Sequence, residues 1–197
     1  MNHEPAIPFQ HKVISSLLGR IASRVSSKCI SKLYALKIVY LADRYHLRKY
    51  GRTITEDTYW AMNYGPVASE TKRYIESVAS GDESPPAFLS IKNDSRGHQE
   101  IKVVGPVDES YLSETDIEAI DAALAEACIH DDLISFTHLF PEWKKHESEL
   151  GGRITRRKMD FADFFLAAPK TAEYCDVSQE LLDLNRSLLA ETNICSR

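Results

Sequence analysis

No stretch of this chain approaches the roughly 20 consecutive apolar residues that would cross a bilayer. Its first residues, Met1-Asn2-His3-Glu4-Pro5, lack the basic segment and apolar run of a secretory signal. A soluble, cytoplasmic protein with no membrane partner is expected. Cysteine is sparse: Cys29, Cys128, Cys175 and Cys195 lie far apart and form no CxxC pair, which leaves reduced thiols rather than a disulfide framework. The Asn-x-Ser triplets at Asn93 and Asn185 therefore have no secreted context in which to be glycosylated. Neither G-x-G-x-x-G nor G-x-x-x-x-G-K-[ST] occurs, so dinucleotide and P-loop nucleotide binding have no support.

Catalytic and metal patterns are equally thin. Ser69-Glu70-Thr71-Lys72 has the form S-x-x-K but no companion motif, and a serine there reads as a helix cap. His146-Glu147 opens like a zinc helix, yet position 150 is leucine. His138 and His146, eight residues apart, fall about 80° off a common helical face. Asp43 and His46 share a helix face, but without a nucleophile nearby they read as a buried hydrogen-bonding pair. The expectation is a binding protein with no catalytic residues, no metal and no cofactor, and a hydrolase built on His46 or His138 is the remote alternative.

What is present is 197 residues, 43% of them hydrophobic, which suffices for one self-supporting domain. Three segments are expected: a loose leader over 1–10, a main domain over 11–169 and a C-terminal amphipathic helix within 170–197. Val13, Ile14, Leu17, Leu18, Ile21 and Val25 recur at helical spacing. A second helix over 30–50 is apolar nearly all round in its first half, so it belongs in the middle of the fold, with Gly51 as its left-handed cap. Tyr59 to Met62 reads as a short strand, and Asn63-Tyr64-Gly65-Pro66 as a turn. Pro66 would then open a helix over 67–80.

Phe88–Lys92 and Glu100–Val104 form a hairpin, and Ser113 caps a helix with apolar Ile117, Ile120, Leu124 and Ala127. Ser135 is expected to cap a short helix to Trp143, bent or restarted at Pro141, and Asp160 another over 161–168. The class is mainly α (α+β), a compact helical domain with a small antiparallel sheet or hairpin. Its element order resembles a winged-helix arrangement.

Charge is unevenly placed. Between His11 and Arg52 ten Lys or Arg stand against one acid, Asp43, whereas residues 53–197 carry a net −13. Either the two parts pack on each other, or the basic part meets an acidic protein or nucleic acid.

The most distinctive stretch is Lys32 to Pro66, with Leu41-Ala42-Asp43-Arg44, His46-Leu47, Tyr50-Gly51-Arg52, Ile54-Thr55, Tyr59, Ala61-Met62 and Tyr64-Gly65-Pro66-Val67. It resembles the Panacea domain of SocA-like antitoxins, a domain also found in phage-associated proteins, and the likeness extends through Leu112–Asp116 and Ser135–Trp143. Thr137-His138 stands where the family often has Ser-His before its Trp. The resemblance implies a bacterial type II antitoxin that binds and neutralises a toxin encoded in the neighbouring gene. A founding member instead hands its toxin to a protease. A second copy of the chain and the promoter DNA of its own operon are the other partners to weigh.

The candidate partner-binding residues follow. Lys37, Arg44 and Arg48 lie at i, i+7 and i+11 on one helical face, with His46 and Arg52 beside them; they form a patch for an acidic partner or pair with the chain's own acids. Trp60 and Tyr64 are candidate aromatic anchors. Leu181, Leu184 and Leu188, widened by Leu182 and Leu189, form a C-terminal seam that docks on the chain's own core or covers a partner.

Overall fold

The computed structural model describes residues 7–167 and 177–195. The first helix, α1 (Phe9–Ser23), begins two residues earlier than the periodicity predicts, because the carbonyl of its N-cap Pro8 accepts from His11 N and Lys12 N. Residues 1–6 of the expected leader lie outside the described residues. A short strand β1 (Cys29–Ser31) follows, which the sequence reading missed.

The central helix α2 (Lys32–Tyr50) is capped by the Ser31 side chain, which accepts from Tyr34 N, and stops at Gly51 with φ 76°. That positive φ suits glycine, and a Cβ there would also press on the Asn185 amide at 3.0 Å. Ala35, Leu36, Ile38, Val39, Tyr40, Leu41 and Ala42 are all buried. A helix apolar on every side has to be surrounded, and α1, α3, α4, α5 and α7 all pack on it.

Strands β2 (Tyr59–Met62) and β3 (Gly65–Ala68) form a tight antiparallel hairpin. Pro66 therefore lies in a strand rather than opening a helix, a correction to the sequence reading. It pairs opposite Ala61 while its carbonyl is held by Lys37, so tertiary contacts override its preference for a first helical position. Helix α3 (Ser69–Ser80) starts after it. Its cap is not Ser69 but the carboxylate of distant Asp57, which accepts from Glu70 N and Thr71 N, both at 2.7 Å.

The hairpin β4 (Leu89–Asn93) and β5 (Gln99–Val103) forms as expected and takes β1 on its other side, in the order β1-β5-β4. The first sheet thus joins the hairpin to a strand that precedes the central helix, and β2–β3 belongs to a second sheet. Helix α4 (Glu114–Cys128) carries a full capping box between Ser113 and Asp116.

Two short helices follow, α5 (Leu133–Thr137) and α6 (Pro141–Lys144). Asp132, not Ser135, caps the first, and Pro141 restarts the second. Strand β6 (Arg156–Lys158) completes a second sheet in the order β3-β2-β6, and Asp160 caps a 3-10 turn over Phe161–Phe165. Helix α7 (Gln179–Cys195) closes the described chain. Among the described residues no helix is long and apolar enough to cross a membrane. Cys29 and Cys128 are free thiols, and Cys175 lies outside the described residues.

Candidate partner-binding site

The charge asymmetry is largely consumed inside the molecule. Six of the ten cations between His11 and Arg52 pair with acids elsewhere: Arg20 with Glu109 and Asp121, Arg24 with Asp121, Lys32 with Glu76, Arg44 with Glu142, Lys49 with Glu118, and Arg52 with Asp116. Self-complementary packing, one of the two readings of the sequence, accounts for most of it. On α3 too, Arg73 bonds Glu70 and Lys72 bonds Glu76.

The helical face of Lys37, Arg44 and Arg48 exists, but it points inward. All three are buried, so no surface patch forms from them. Arg44 Nε donates to Glu142 Oε1 at 2.6 Å, where Tyr40 OH also donates, and its guanidinium lies over the Phe140 ring. Arg48 donates to the Phe164 and Leu166 carbonyls at 3.0 and 3.2 Å. His46 bonds the Arg52 carbonyl at 2.8 Å through Nδ1, and its Nε2 faces Thr115 Oγ1 and Asp116 at 3.0 and 3.1 Å.

Asp43 faces different groups: Ile54 N, Thr55 N, the Thr55 hydroxyl and Tyr59 OH. Burial pushes its carboxyl up to about 6 against those four hydrogen bonds. Asp43, His46 and Arg48 thus each tie a later segment of the chain to the central helix. Among the described residues no group of three His, Cys, Asp or Glu gathers as metal ligands.

One of these ties bears on the surface. Lys37 Nζ donates to the carbonyls of Tyr64 and Pro66, the second at 3.2 Å. Trp143 Nε1 donates to Met62 O at 2.9 Å, and His138 stacks flat on the Trp143 ring at 3.6 Å. Gly65, with φ 94°, leaves room for this: a Cβ there would meet Lys37 Nζ at 2.5 Å and Thr137 Oγ1 at 2.9 Å. The β2–β3 turn is therefore clamped from below by α2 and α6. Its Tyr64 side chain nevertheless stands 69% exposed. An aromatic ring on an immobile backbone loses little entropy on binding, which is what an interface anchor needs.

Burial drives the Lys37 amine down from 10.5 to about 7. Between those values the unfolded chain holds a proton that the folded one has released, so this group makes stability rise with pH from about 7 toward 10. Urea unfolding of the parent and of Lys37→Met at pH 7 and pH 9 checks this. The parent should gain stability relative to the variant as pH rises, by up to about 1.4 kcal/mol per pH unit; a constant difference would contradict it.

The remaining sequence candidates are scattered. Arg52 is half exposed but pairs with Asp116. Trp60 is half-buried on the outer face of β2, with the Arg156 guanidinium 4.6 Å over its ring. On α7 the inward side is Leu182 and Asn185 with Leu189 beside them, not the expected Leu181–Leu184–Leu188 line. Asn185 Nδ2 donates to the Arg48 carbonyl at 2.9 Å and sets the helix's rotation. Leu181 lies at the margin, and Leu184 and Leu188 stand 56% and 47% exposed. Sequence reasoning missed Trp143 and His138 as supports of the turn, because Trp143 bonds the distant Met62 carbonyl and His138 acts only by stacking on that ring.

The stretch from α2 to α6 that holds the clamped turn also matches a known family. The model of the family described as antitoxin SocA-like, Panacea domain, matches residues 36–144. No curated protein and no solved structure matches the chain.

Proposed function

The chain belongs to the SocA-like antitoxin family with the Panacea domain, and on that premise we propose that it is a cytoplasmic type II antitoxin that neutralises a toxin encoded beside it by direct protein–protein binding. It works by contact, without turning over a substrate. The observation that carries this reading is Tyr64, exposed on a turn whose backbone is pinned by Lys37 and braced by Trp143. Asp43 and His46, the nearest approach to an acid–base pair, are spent on separate hydrogen bonds to neighbouring loops. A role on promoter DNA gains little from α3, whose Lys72 and Arg73 are paired with glutamates.

Co-expression with the product of the adjacent gene tests the proposal. Growth should be restored and the two proteins should co-purify; failure of both would overturn it. Within that complex, Tyr64→Ala should weaken binding at least tenfold, about 1.4 kcal/mol. The free variant should stay within roughly 0.5 kcal/mol of the parent's stability, since the ring it removes faces solvent.

A further inference from the structure

Strand β6 is the edge of the second sheet, and its sequence is Arg156-Arg157-Lys158. In its register Lys158 stands opposite Trp60 and Arg156 opposite Met62, while Trp60 is also opposite Val67. Directly opposed residues share a face. One side of the sheet therefore presents half-buried Val67, Trp60 and Met62, bordered by exposed Arg156 and Lys158. The other side, with Tyr59, Ala61 and Ala68, is in the core.

Part of the molecule's unspent positive charge lies here, as another part does at Lys92, Arg96 and Lys102 of the β4–β5 hairpin. Arg157 pairs with Glu149 at 2.5 Å. Arg153, Arg156 and Lys158 are exposed and make no ion pair among the described residues, unlike most of the cations of α1 and α2. Arg156 lies over Trp60. The far edge of β6 has no strand on it among the described residues, and an unpaired edge is where strand addition takes place.

Resting on the antitoxin reading, we propose that this face and its open edge are where the partner docks, and that the docked element is an extended acidic segment of the partner protein lying beside β6. Backbone hydrogen bonds supply the pairing, Arg156 and Lys158 select carboxylates, and Trp60 offers an apolar contact. A second copy of this chain fits poorly, because two β6 edges would set Arg-Arg-Lys against Arg-Arg-Lys. Charge on an edge can also serve only to prevent aggregation. That role requires neither an aromatic on the open face nor an arginine stacked on it. A nucleic acid would use the cations and the tryptophan but not the strand edge.

The test uses the full-length protein and a fluorescently labelled ten-residue peptide alternating glutamate with valine and threonine. Controls are the same peptide with lysine for glutamate and a 20-nucleotide oligo-dT. By anisotropy, the acidic peptide should bind and the lysine peptide should not. Affinity should fall at least tenfold in Arg156→Glu/Lys158→Glu and again in Trp60→Ala, with melting temperatures of the charge variants unchanged. No binding of the acidic peptide, equal binding by the charge-reversed variant, or tighter binding of oligo-dT would each overturn the proposal. Co-expression separates it from the antitoxin reading. If the parent rescues growth and the charge-reversed variant rescues equally, this surface is wrong and the antitoxin reading stands. If the peptide result holds while the parent fails to rescue, the antitoxin reading falls and the surface remains an acidic-strand site.

Discussion

Glu142→Ala should cost about 3–5 kcal/mol of folding stability, because it strands a buried guanidinium. The Glu142 side chain is 0% exposed and that of Arg44 1%. Glu142 Oε1 receives both Arg44 Nε and Tyr40 OH at 2.6 Å, so one oxygen anchors two groups of the central helix to α6. Alanine leaves the arginine with Phe140 and the Leu166 carbonyl but without its counter-charge. The double variant Arg44→Met/Glu142→Leu should lose much less than the sum of the single changes, since it removes both desolvated charges together. Urea unfolding midpoints at constant slope measure this. A single-variant loss below about 1 kcal/mol, or strict additivity, would mean that the pair is not coupled as the geometry requires.

Deleting the chain from residue 177 onward should cost nearly as much. Leu182 is 7% exposed and Asn185 5%. Burying a leucine contributes roughly 1.5–3 kcal/mol, and the Asn185 bond to the Arg48 carbonyl about 1 kcal/mol. With the margins of Leu181 and Leu189 the total comes to about 3–5 kcal/mol, or a fall on the order of 10 °C in melting temperature for a chain of this size. Thermal unfolding of the truncated protein alone gives the answer. A protein that melts as before but no longer binds its partner would instead make α7 a partner element. Its exposed Leu184 and Leu188 would then be the face involved.

Both predictions concern residues whose type the sequence displayed and whose role it did not. The stripe Lys37–Arg44–Arg48 is a true helical face, legible from spacing alone. Whether that face meets water or carbonyl groups depends on Phe164, Leu166, Tyr64 and Pro66, which arrive from far along the chain. Glu142 gave no local sign of burial, being one of many acids in an acidic half. The C-terminal leucines were read as a seam one position out of phase, because the polar Asn185 was not counted as an inward residue.

What the sequence settled by itself is the local layer. Gly51 ends α2, Ser113 and Asp116 cap α4, Tyr59–Met62 is a strand, and 88–104 is a hairpin, each because capping, turn chemistry or alternation acts over a few neighbouring residues. The motif of residues 41–67 also fixed the family, through a run of positions that matches over 36–144. Tertiary structure decided the rest. It made Pro66 part of a strand, since Ala61 and Lys37 hold it there. It made β1 and β6 strands at all, since three residues pair only when a distant edge is offered. It also turned a basic segment inward onto the chain's own acids and carbonyls, leaving Tyr64 and the β6 cations outside. The physical reason is common to these cases: a buried charge or an edge strand is stable only with a partner, and in this fold those partners lie tens of residues away.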